Sequence, residues 1–137
     1  MINCVFCKII SGELPASKVY EDDAVLAFLD IAPINKGHTL LVPKEHHVNL
    51  LDCPEPLLIC LTLALQKVGR AVREGVQADA FNVGLNNGRA AGQLVDHTHF
   101  HIIPRFHDDG LQSWGQRHYS DGEAERVVAA IRSALVV

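Results

Sequence analysis

The sequence predicts an α+β fold, because several short segments rich in β-forming residues accompany one long amphipathic helical segment. Apolar side chains recur at helical spacing between Asp52 and Gly75, at Leu57, Leu61, Ala64, Leu65, Val68 and Val72. In the segment 96–104, three histidines alternate with β-branched or aromatic residues, which indicates a strand with two different faces. A helix of this length can cover a sheet, so strands around one long helix are expected.

Composition limits the classes of function. The chain has 137 residues, 48% of them hydrophobic, and we interpret residues 1–137 as one domain with one core. A formal charge of −4 and scattered lysines and arginines argue against a dedicated nucleic-acid binder, but not against binding of a nucleotide. No membrane-spanning apolar stretch, signal peptide or anchor is visible. We therefore expect a cytoplasmic protein with neither nucleic acid nor membrane among its partners.

The first elements follow from chain breakers and β-forming residues. Residues 18–21 and 24–30 predict a hairpin, with the two aspartates between them as the turn. Residues 33–37 contain proline and glycine and break the chain again. Residues 38–43 then predict a short apolar strand that ends at a proline.

The second half begins with the long helix. Asp52 offers a capping side chain with Glu55 three residues later, so the helix is expected to begin there. Residues 80–85 predict the next strand, and residues 86–92 predict a glycine-bearing loop in which backbone amides can approach a ligand. Residues 120–123 are expected to cap a last helix. Its apolar side chains are Val127, Val128, Ile131 and Leu135.

The histidine segment predicts a functional site. On a strand, His97, His99 and His101 would share one face. The other face would carry Thr98, Phe100 and Ile102. Three imidazoles within about 7 Å of one another repel when protonated, so at neutral pH they must share hydrogen bonds, bind a metal or meet an anion.

The four cysteines divide into two pairs. Cys4 and Cys7 have the two-residue gap that is typical of a metal clip or a redox pair in a reducing compartment. A tetrahedral zinc would need two more ligands than this pair supplies. Cys53 and Cys60 flank or lie within the helical apolar pattern and are interpreted as core residues.

The segment His97-Thr98-His99-Phe100-His101-Ile102-Ile103 resembles the His-x-His-x-His-x-x signature of the histidine triad family of nucleotide hydrolases and transferases, in which x is hydrophobic. Thr98 is the departure from that pattern. Further matches occur in the family's order at 6–10, 20–23, 27–31, Pro33, 37–38, 42–44, Asn86 and 92–93. The resemblance implies a five-stranded antiparallel sheet, a homodimer with a ten-stranded sheet, and a purine nucleotide at the sheet edge.

The resemblance also implies a reaction in two steps. His99 would attack the α-phosphorus of a purine nucleotide conjugate, such as a dinucleoside polyphosphate or an adenosine phosphoramidate. Water would then cleave the nucleotidyl-histidine and release AMP. An imidazole suits this route because it is substantially unprotonated near pH 7. His101 is assigned to phosphate contact and to the leaving group, and His38 to a third polar contact.

By the same resemblance, Asp30 would bind the ribose, since a carboxylate accepts two hydrogen bonds from a vicinal diol. Apolar walls around the base would come from Phe6, Phe28 and Ile31, with core packing as the alternative for each phenylalanine. The phosphate chain would contact Asn86 and Gln93. Leu94 stands where several family members have Ser or Thr, so one hydroxyl contact to the α-phosphate is missing or replaced by a backbone amide.

Some bacterial members of the family complete a cysteine pair with two histidines. One follows a Pro-Lys segment and the other is the first histidine of the triad, which here are His46 and His97. His47 competes for the third ligand position. Four protein ligands leave no open position for water, so the resemblance implies that zinc bound to Cys4, Cys7, His46 and His97 would be structural. A redox pair or two free thiols are the alternatives for the cysteines.

Two other functions stay open at this point. A nucleotide-binding regulatory protein without significant turnover would keep Asp30 and the aromatic walls without needing His99. A metal-dependent hydrolase would bind an open catalytic zinc through all three triad histidines, although the cysteine pair draws His97 away from such a site. Residues 106–118 fit no motif, and Trp114 would either cover a second nucleotide or pack at the dimer interface.

Overall fold

The computed structural model describes residues 3–135 and contains one antiparallel sheet with a long helix on one face. The five strands are β1 (Lys18–Glu21), β2 (Val25–Leu29), β3 (Thr39–Pro43), β4 (Ala80–Leu85) and β5 (Phe100–Arg105). The α-helices are α1 (Val5–Ile10), α2 (Glu55–Gly75) and α3 (Glu123–Ala134). These elements confirm the α+β class and the five-stranded sheet, whereas the joining of two sheets in a homodimer stays a prediction.

The strand order is β1-β2-β3-β5-β4, and every neighbouring pair is antiparallel. β5 therefore lies inside the sheet, between β3 and β4. His101 on β5 pairs with Leu40 on one side and with Gly84 on the other. Because both neighbours fix its backbone, His101 has a defined position, which a catalytic side chain requires.

The two faces of the sheet bury two apolar clusters. On one face, α2 packs on the sheet through a cluster that includes Leu61, Val68, Leu41 and Ile102, with Phe100 at its border. On the other face, α1 packs through a cluster that contains Phe6, Ile9, Leu26, Phe28, Leu40 and Val42. Phe100 and Ile102 therefore lie on a packed face of the strand, as predicted, and His101 between them lies on the opposite face, near α1.

The short helix α1 was not predicted. Cys4 is its N-cap, and the Cys4 Sγ atom accepts a hydrogen bond from the backbone N–H of Cys7. Phe6 and Ile9, which are three residues apart, form its buried side. The signal was an apolar pair at helical spacing directly after a side chain that can cap a helix.

The predicted cap of the long helix was wrong. The N-cap of α2 is Pro54, without a side-chain hydrogen bond. The Asp52 carboxylate instead accepts hydrogen bonds from the backbone N–H groups of Val48 and Asn49 and closes the 3-10 turn Leu50–Asp52. A carboxylate that closes the preceding turn is not available to the first turn of α2.

The interpretation of the second cysteine pair was half right. Cys53 is buried, as expected for a core residue, but Cys60 lies on the exposed side of α2. Cys53 lies before the start of α2, where its Sγ atom is 3.5 Å from the Oγ1 atom of Thr98 in the histidine segment. Cys60 lies within α2, seven positions later.

The histidine segment is only partly a regular strand. β5 begins at Phe100, so the predicted strand 96–104 was wrong in its first half. There the backbone N–H of Thr98 donates to the carbonyl of His47, at 2.7 Å. Residues 97–99 thus pair with the loop after β3 and not with a strand. A loop does not continue the hydrogen-bonding pattern of a sheet, so the regular strand begins only at Phe100.

The remaining elements match the sequence predictions closely. The hairpin of β1 and β2, the strands β3 and β4 and the last helix all occur where they were expected. The apolar side chains of α3 are exposed, and α3 buries none of its residues in the described part of the chain. None of the described helices combines the length and the apolar character that crossing a membrane requires.

Candidate active site and metal site

A cavity of about 440 Å³ lies between α1 and the sheet. Its inner wall is aromatic: the rings of Phe6 and Phe28 meet edge to face at a centroid distance of 5.6 Å. The Phe6 ring also lies 5.0 Å from the ring of His99. His99 and His101, whose rings are 5.1 Å apart, supply polar groups on the sheet side, and Asp30 lies at the end of β2.

The structure brings most of the predicted nucleotide-binding residues into this cavity. They are Phe6, Phe28, Asp30, Ile31, His99 and His101. Both phenylalanines also belong to the apolar cluster under α1, which agrees with the core interpretation, whereas their contact with a base stays a prediction. Ile31 is fully solvent-exposed and lies at the rim.

The position of His99 fixes which of its nitrogens is free. Its Nδ1 atom is 2.7 Å from the carbonyl oxygen of His97. A carbonyl only accepts hydrogen bonds, so we assign the proton of neutral His99 to Nδ1 and the lone pair to Nε2. A buried imidazole with its Nε2 lone pair available is the form that a nucleophile requires.

A chain of hydrogen bonds orients His101. The backbone N–H of Ile34 donates to Nδ1 of His38 at 3.1 Å, so the proton of His38 lies on Nε2. The Nε2 atom of His38 is 2.9 Å from Nδ1 of His101, which must therefore accept. His101 consequently carries its proton on Nε2. A backbone amide thus sets the tautomers of both side chains.

Burial keeps these two histidines neutral. Burial lowers the pKa of His38, although the Asp30 carboxylate, 3.7 Å away, opposes this effect. Burial and the neighbouring His99 and His38 lower the pKa of His101 to about 4. Asp30 also accepts a hydrogen bond from the backbone of Ala32 through Oδ1. Both imidazoles are thus uncharged near pH 7 when no anion is bound.

A second cavity, of about 520 Å³, lies on the other side of His101. Asn86 lines this cavity and not the aromatic one. Residues 111–114, which fit no sequence motif, form another part of its wall, and the indole of Trp114 is 91% exposed. His101 therefore stands between two cavities, one of which is aromatic.

Arg105 also lines the second cavity, but its charge is compensated. Its guanidinium donates to the Asp109 carboxylate at 2.8 Å and to Oδ1 of Asn82 at 2.7 Å. This contact holds the pKa of Asp109 well below its ordinary range. Arg105 and Asp109 therefore form an ion pair within the wall, and Arg105 is not an isolated cation that awaits a phosphate.

Four metal-ligating atoms converge beside α1. The donor atoms of Cys4, Cys7, His46 and His97 all lie within 4.8 Å of one another. The shortest distances are 3.1 Å between the two Nδ1 atoms and 3.3 Å between Cys7 Sγ and His46 Nδ1. Zinc bonds of about 2.3 Å to sulfur and 2.0 Å to nitrogen place tetrahedral ligands about 3.3–3.8 Å apart. The four side chains fit a zinc ion without a large rearrangement.

The orientation of His97 agrees with a ligand. Its Nε2 atom is 2.8 Å from the carbonyl oxygen of Pro43, so Nε2 carries the proton and Nδ1 presents its lone pair to the sulfurs. Burial lowers the pKa of His97 to about 4. Burial and the neighbouring Cys4 raise the pKa of the Cys7 thiol to about 11, an effect that a bound divalent cation would reverse.

The fold places the two candidate third ligands differently. His46 points into the cluster, whereas the ring of His47 points away to Glu45 and Asp52, at 3.2 and 3.6 Å. Of the two, only His46 has a ring nitrogen within reach of Cys7, at 3.3 Å from its Sγ atom.

The side chain of Gln93 lines neither cavity. Its side chain is 2% exposed, and it donates to the carbonyls of Val48 and Val95. Its Oε1 atom accepts from the backbone N–H of Gly88 at 2.8 Å. The neighbouring Gly92, with a positive φ of 93°, lines the aromatic cavity, but the Gln93 side chain does not.

Comparison with known proteins places these features in a wider group. A family profile described as "HIT domain" matches residues 11–108. The chain is 42% identical over 137 residues to adenylylsulfatase HINT3 of Arabidopsis thaliana, an alignment that covers 97% of this chain and 70% of that protein. It is 43% identical over 104 residues to adenosine 5′-monophosphoramidase hnt1 of Schizosaccharomyces pombe, covering 76% of this chain and 75% of the other.

Solved structures show the same fold. A crystal structure of a member of the HIT family from Bacillus subtilis superposes with a TM-score of 0.90 at 41% identity, over 99% of both chains. A zinc-bound histidine triad family protein from Mycobacterium smegmatis superposes with a TM-score of 0.77 at 40% identity, over 97% of this chain and 98% of that one.

Proposed function

Because this chain belongs to the HIT domain family, we propose that it is a nucleotide hydrolase or nucleotidyl transferase that cleaves at the α-phosphate of a purine nucleotide conjugate. The substrate is a dinucleoside polyphosphate or an adenosine phosphoramidate, and the reaction passes through a covalent nucleotidyl-histidine on His99 to release AMP. Relatives named adenylylsulfatase and adenosine 5′-monophosphoramidase support this class of substrate.

One observation carries the proposal. The Nδ1 atom of His99 is held by the carbonyl of His97, which leaves its Nε2 lone pair free beside an aromatic cavity. A histidine that served only nucleotide binding would gain nothing from a fixed lone pair, since phosphate is bound by donors and not by lone pairs. The arrangement therefore favours nucleophilic attack over simple sensing of a nucleotide.

In the first step, the base lies in the aromatic cavity and the ribose hydroxyls contact Asp30. His99 Nε2 forms a bond to the α-phosphorus while the bond from that phosphorus to the leaving group breaks. His101 presents its Nε2–H to the phosphate and the leaving atom. Because Nδ1 of His101 accepts from His38, His101 stays neutral and donates its Nε2–H as a hydrogen bond. An amine leaving group takes its proton from a solvent water, which becomes hydroxide.

In the second step, water attacks the same phosphorus and the bond to His99 breaks, which returns the lone pair to Nε2. The water loses one proton to the solvent, or enters as the hydroxide left by the first step, and the product is AMP. An acceptor hydroxyl or phosphate in place of water would give transfer instead of hydrolysis. The phosphoramidate of histidine is labile, so the intermediate need not accumulate.

The second cavity is a suitable place for the leaving group. It adjoins His101 on the side away from Phe6 and Phe28, and it contains the amide side chains of Asn82 and Asn86. A group that departs past His101 enters this space. Its volume of about 520 Å³ admits a second nucleotide or a smaller amine, which agrees with more than one class of conjugate.

We further propose that Cys4, Cys7, His46 and His97 hold a structural zinc ion. When bound, the ion would tie α1 to the loop after β3 and to the first histidine of the triad. Four protein ligands leave no open coordination position, so the zinc contributes stability and not Lewis-acid chemistry. This geometry also directs His97 away from the site formed by His99 and His101, and so argues against a zinc ion shared by all three.

A homodimer is the proposed assembly. Trp114 and the apolar side of α3 are exposed, and β4 is an edge strand whose outer backbone groups pair with no other described strand. Pairing of such an edge with a second copy would produce the ten-stranded sheet. Light scattering after gel filtration would report twice the chain mass of 15.0 kDa, and a monomer would contradict the assembly.

The test is product analysis by chromatography. Purified protein is incubated separately with diadenosine tetraphosphate, adenosine 5′-phosphoramidate and adenylyl sulfate, beside the variants His99→Ala and His107→Ala. His107 is an exposed histidine outside both cavities, so it serves as the matched control. AMP should be released by the wild type and by His107→Ala, and not by His99→Ala.

The other outcomes are equally informative. Binding of AMP without turnover of any of the three conjugates would replace this proposal with a regulatory nucleotide-binding role. Equal turnover by the wild type and His99→Ala would leave an enzyme but remove the nucleotidyl-histidine route. Immediate loss of activity on addition of a chelator would favour an open catalytic metal site.

A further inference from the structure

Two buried polar side chains outside both cavities join the nucleotide site to the metal site. We propose that Thr98 and Gln93 are positioning residues that fix the nucleotide site to the backbone of residues 46–48, so that metal occupancy and nucleotide binding are coupled. The 46–48 segment follows β3 and begins with the metal-ligating candidate His46. The inference rests on the proposed function, because it assumes a nucleotide in the aromatic cavity and zinc in the cluster.

Thr98 provides the first link. Its backbone N–H and its Oγ1 hydroxyl both donate to the carbonyl oxygen of His47, at 2.7 and 3.0 Å. Thr98 is completely buried and stands where the histidine triad signature has a hydrophobic residue. A hydrophobic side chain there would keep the backbone bond and lose the hydroxyl bond. The hydroxyl therefore adds a contact that is specific to the threonine of this chain.

Gln93 provides the second link. Its Nε2 atom donates to the carbonyl of Val48, the next residue along the same segment, and its Oε1 atom accepts from Gly88. The backbone N–H of Gln93 also donates to the carbonyl of Gly88, so the loop 88–93 is closed across the glutamine. Gly92, one residue before Gln93, lines the aromatic cavity.

The two links reach consecutive carbonyls directly after His46. These carbonyls lie within two residues of His46, and planar peptides leave only two backbone torsions per residue, so few torsions are available to absorb a displacement of His46. Those carbonyls hold the backbone beside the nucleophile, through Thr98, and the loop beside the phosphate, through Gln93. A change at one site therefore alters the geometry of the other.

The metal decides where His46 lies. The Nδ1 atoms of His46 and His97 are 3.1 Å apart. Without a cation between them, the two rings keep this distance only if neutral His46 carries its proton on Nδ1 and donates it to Nδ1 of His97. A metal-bound His46 carries its proton on Nε2 instead, so loss of the metal changes the hydrogen bonding of His46 and the position that its ring prefers. If the bound metal raises the affinity for the nucleotide by some factor, thermodynamic reciprocity requires that the bound nucleotide raise the affinity for the metal by the same factor.

The test measures coupling and not activity alone. The dissociation constant of AMP is measured by calorimetry for the zinc-loaded and the metal-free protein, and zinc release to a chromogenic chelator is followed with and without AMP. In the wild type, metal removal should weaken AMP binding about five- to tenfold, a typical coupling between sites, and AMP should slow zinc release.

Four variants separate positioning from general stability. Thr98→Val keeps the shape and removes the hydroxyl, and Thr98→Ser restores it. Gln93→Met keeps the length of the side chain and removes its hydrogen bonds. Thr39→Val is the matched control, because the Thr39 hydroxyl is also fully buried and donates to a carbonyl, that of Gly37, away from the 46–48 segment. Thermal unfolding of each variant reports its stability.

The ratio of the two AMP dissociation constants should fall toward one in Thr98→Val and Gln93→Met, and keep its wild-type value in Thr98→Ser and Thr39→Val. Should Gln93→Met fail to fold, Thr98→Val alone decides. A wild-type ratio of one, an unchanged ratio in Thr98→Val, or a wild type that takes up no zinc overturns the inference while hydrolysis of the conjugates still stands. Absence of AMP binding and turnover overturns the proposed function itself.

Discussion

The Nε2 atom of His38 lies 2.9 Å from the Nδ1 atom of His101, and this contact determines which nitrogen of His101 carries the proton. His38 is itself oriented by the backbone N–H of Ile34. The tautomer of a residue on β5 is thus set from the segment before β3. His101 thus offers a proton donor on Nε2 without carrying a positive charge.

Loss of the His38 donor should lower the rate. In His38→Leu, Nδ1 of His101 has no donor and its ring can adopt the other tautomer, so we expect kcat to fall about 10- to 100-fold with little change in KM. His38→Gln places an amide N–H near the position of Nε2 and should recover a large part of the rate. Steady-state kinetics on adenosine 5′-phosphoramidate measure both. Equal kcat in the leucine and glutamine variants would contradict the orienting role.

Asp30 should determine how strongly the protein prefers a nucleotide with ribose hydroxyls over one without them. One oxygen of its carboxylate accepts from Ala32 and the other is available to a hydroxyl. Asp30→Asn replaces the charged carboxylate with a neutral amide. We expect the variant to bind AMP about 10-fold more weakly, which is the typical effect of losing a hydrogen bond to a charged group. The wild type should bind 2′,3′-dideoxy-AMP about as weakly as the variant binds AMP. A wild type that binds both nucleotides equally would remove Asp30 from the ribose site.

Cys7→Ser should abolish zinc retention and lower the thermal midpoint, because a structural metal at a concentration about 1,000-fold above its dissociation constant stabilises the folded state by about 4 kcal/mol. For a chain of this size, that is a shift of about 14 °C. Cys60→Ser is the control, since Cys60 is exposed on α2. Elemental analysis gives the zinc content and calorimetry gives the midpoint. Unchanged values in Cys7→Ser would exclude this cluster as the zinc site.

Acid should destabilise the protein through its buried histidines. The folded-state pKa of His101 is lowered to about 4 from 6.5, so the folded protein binds fewer protons than the unfolded chain in this range. The stabilising contribution is therefore complete above pH 6.5 and is lost as the pH falls toward 4. Between pH 7.5 and 5, the loss from His101 is about 1–2 kcal/mol.

His101→Gln should remove this part of the pH dependence, which urea unfolding of the wild type and the variant at both pH values would show. His107→Gln, a change at an exposed histidine, should follow the wild type. If the free energy of unfolding of His101→Gln declined by the same amount as that of the wild type, the lowered pKa of His101 would be contradicted.

Most of the fold could be predicted from local patterns. The apolar period of α2, the β-forming residues of β4 and the turn between β1 and β2 all act over a few residues, and each occurs where expected. The helix α1 was missed because its signal spans only six residues. The start of β5 and the role of Asp52 depend on distant or competing backbone partners, which no local pattern contains.

The sequence by itself determined the class of fold, the alternating histidines and the Cys4–Cys7 pair, since each is written in the spacing of residues along one segment. Only the tertiary structure decided which nitrogen is free in His97 and in His101, because the partners of those nitrogens come from other elements: Pro43 for His97, and Ile34, through His38, for His101. The tertiary structure also places His46, and not His47, beside the cysteines, and it directs the Gln93 side chain to the carbonyl of Val48. Hydrogen bonds between remote segments form only once the chain has folded, and for that reason the chemistry of the site is a property of the packed sheet and its loops.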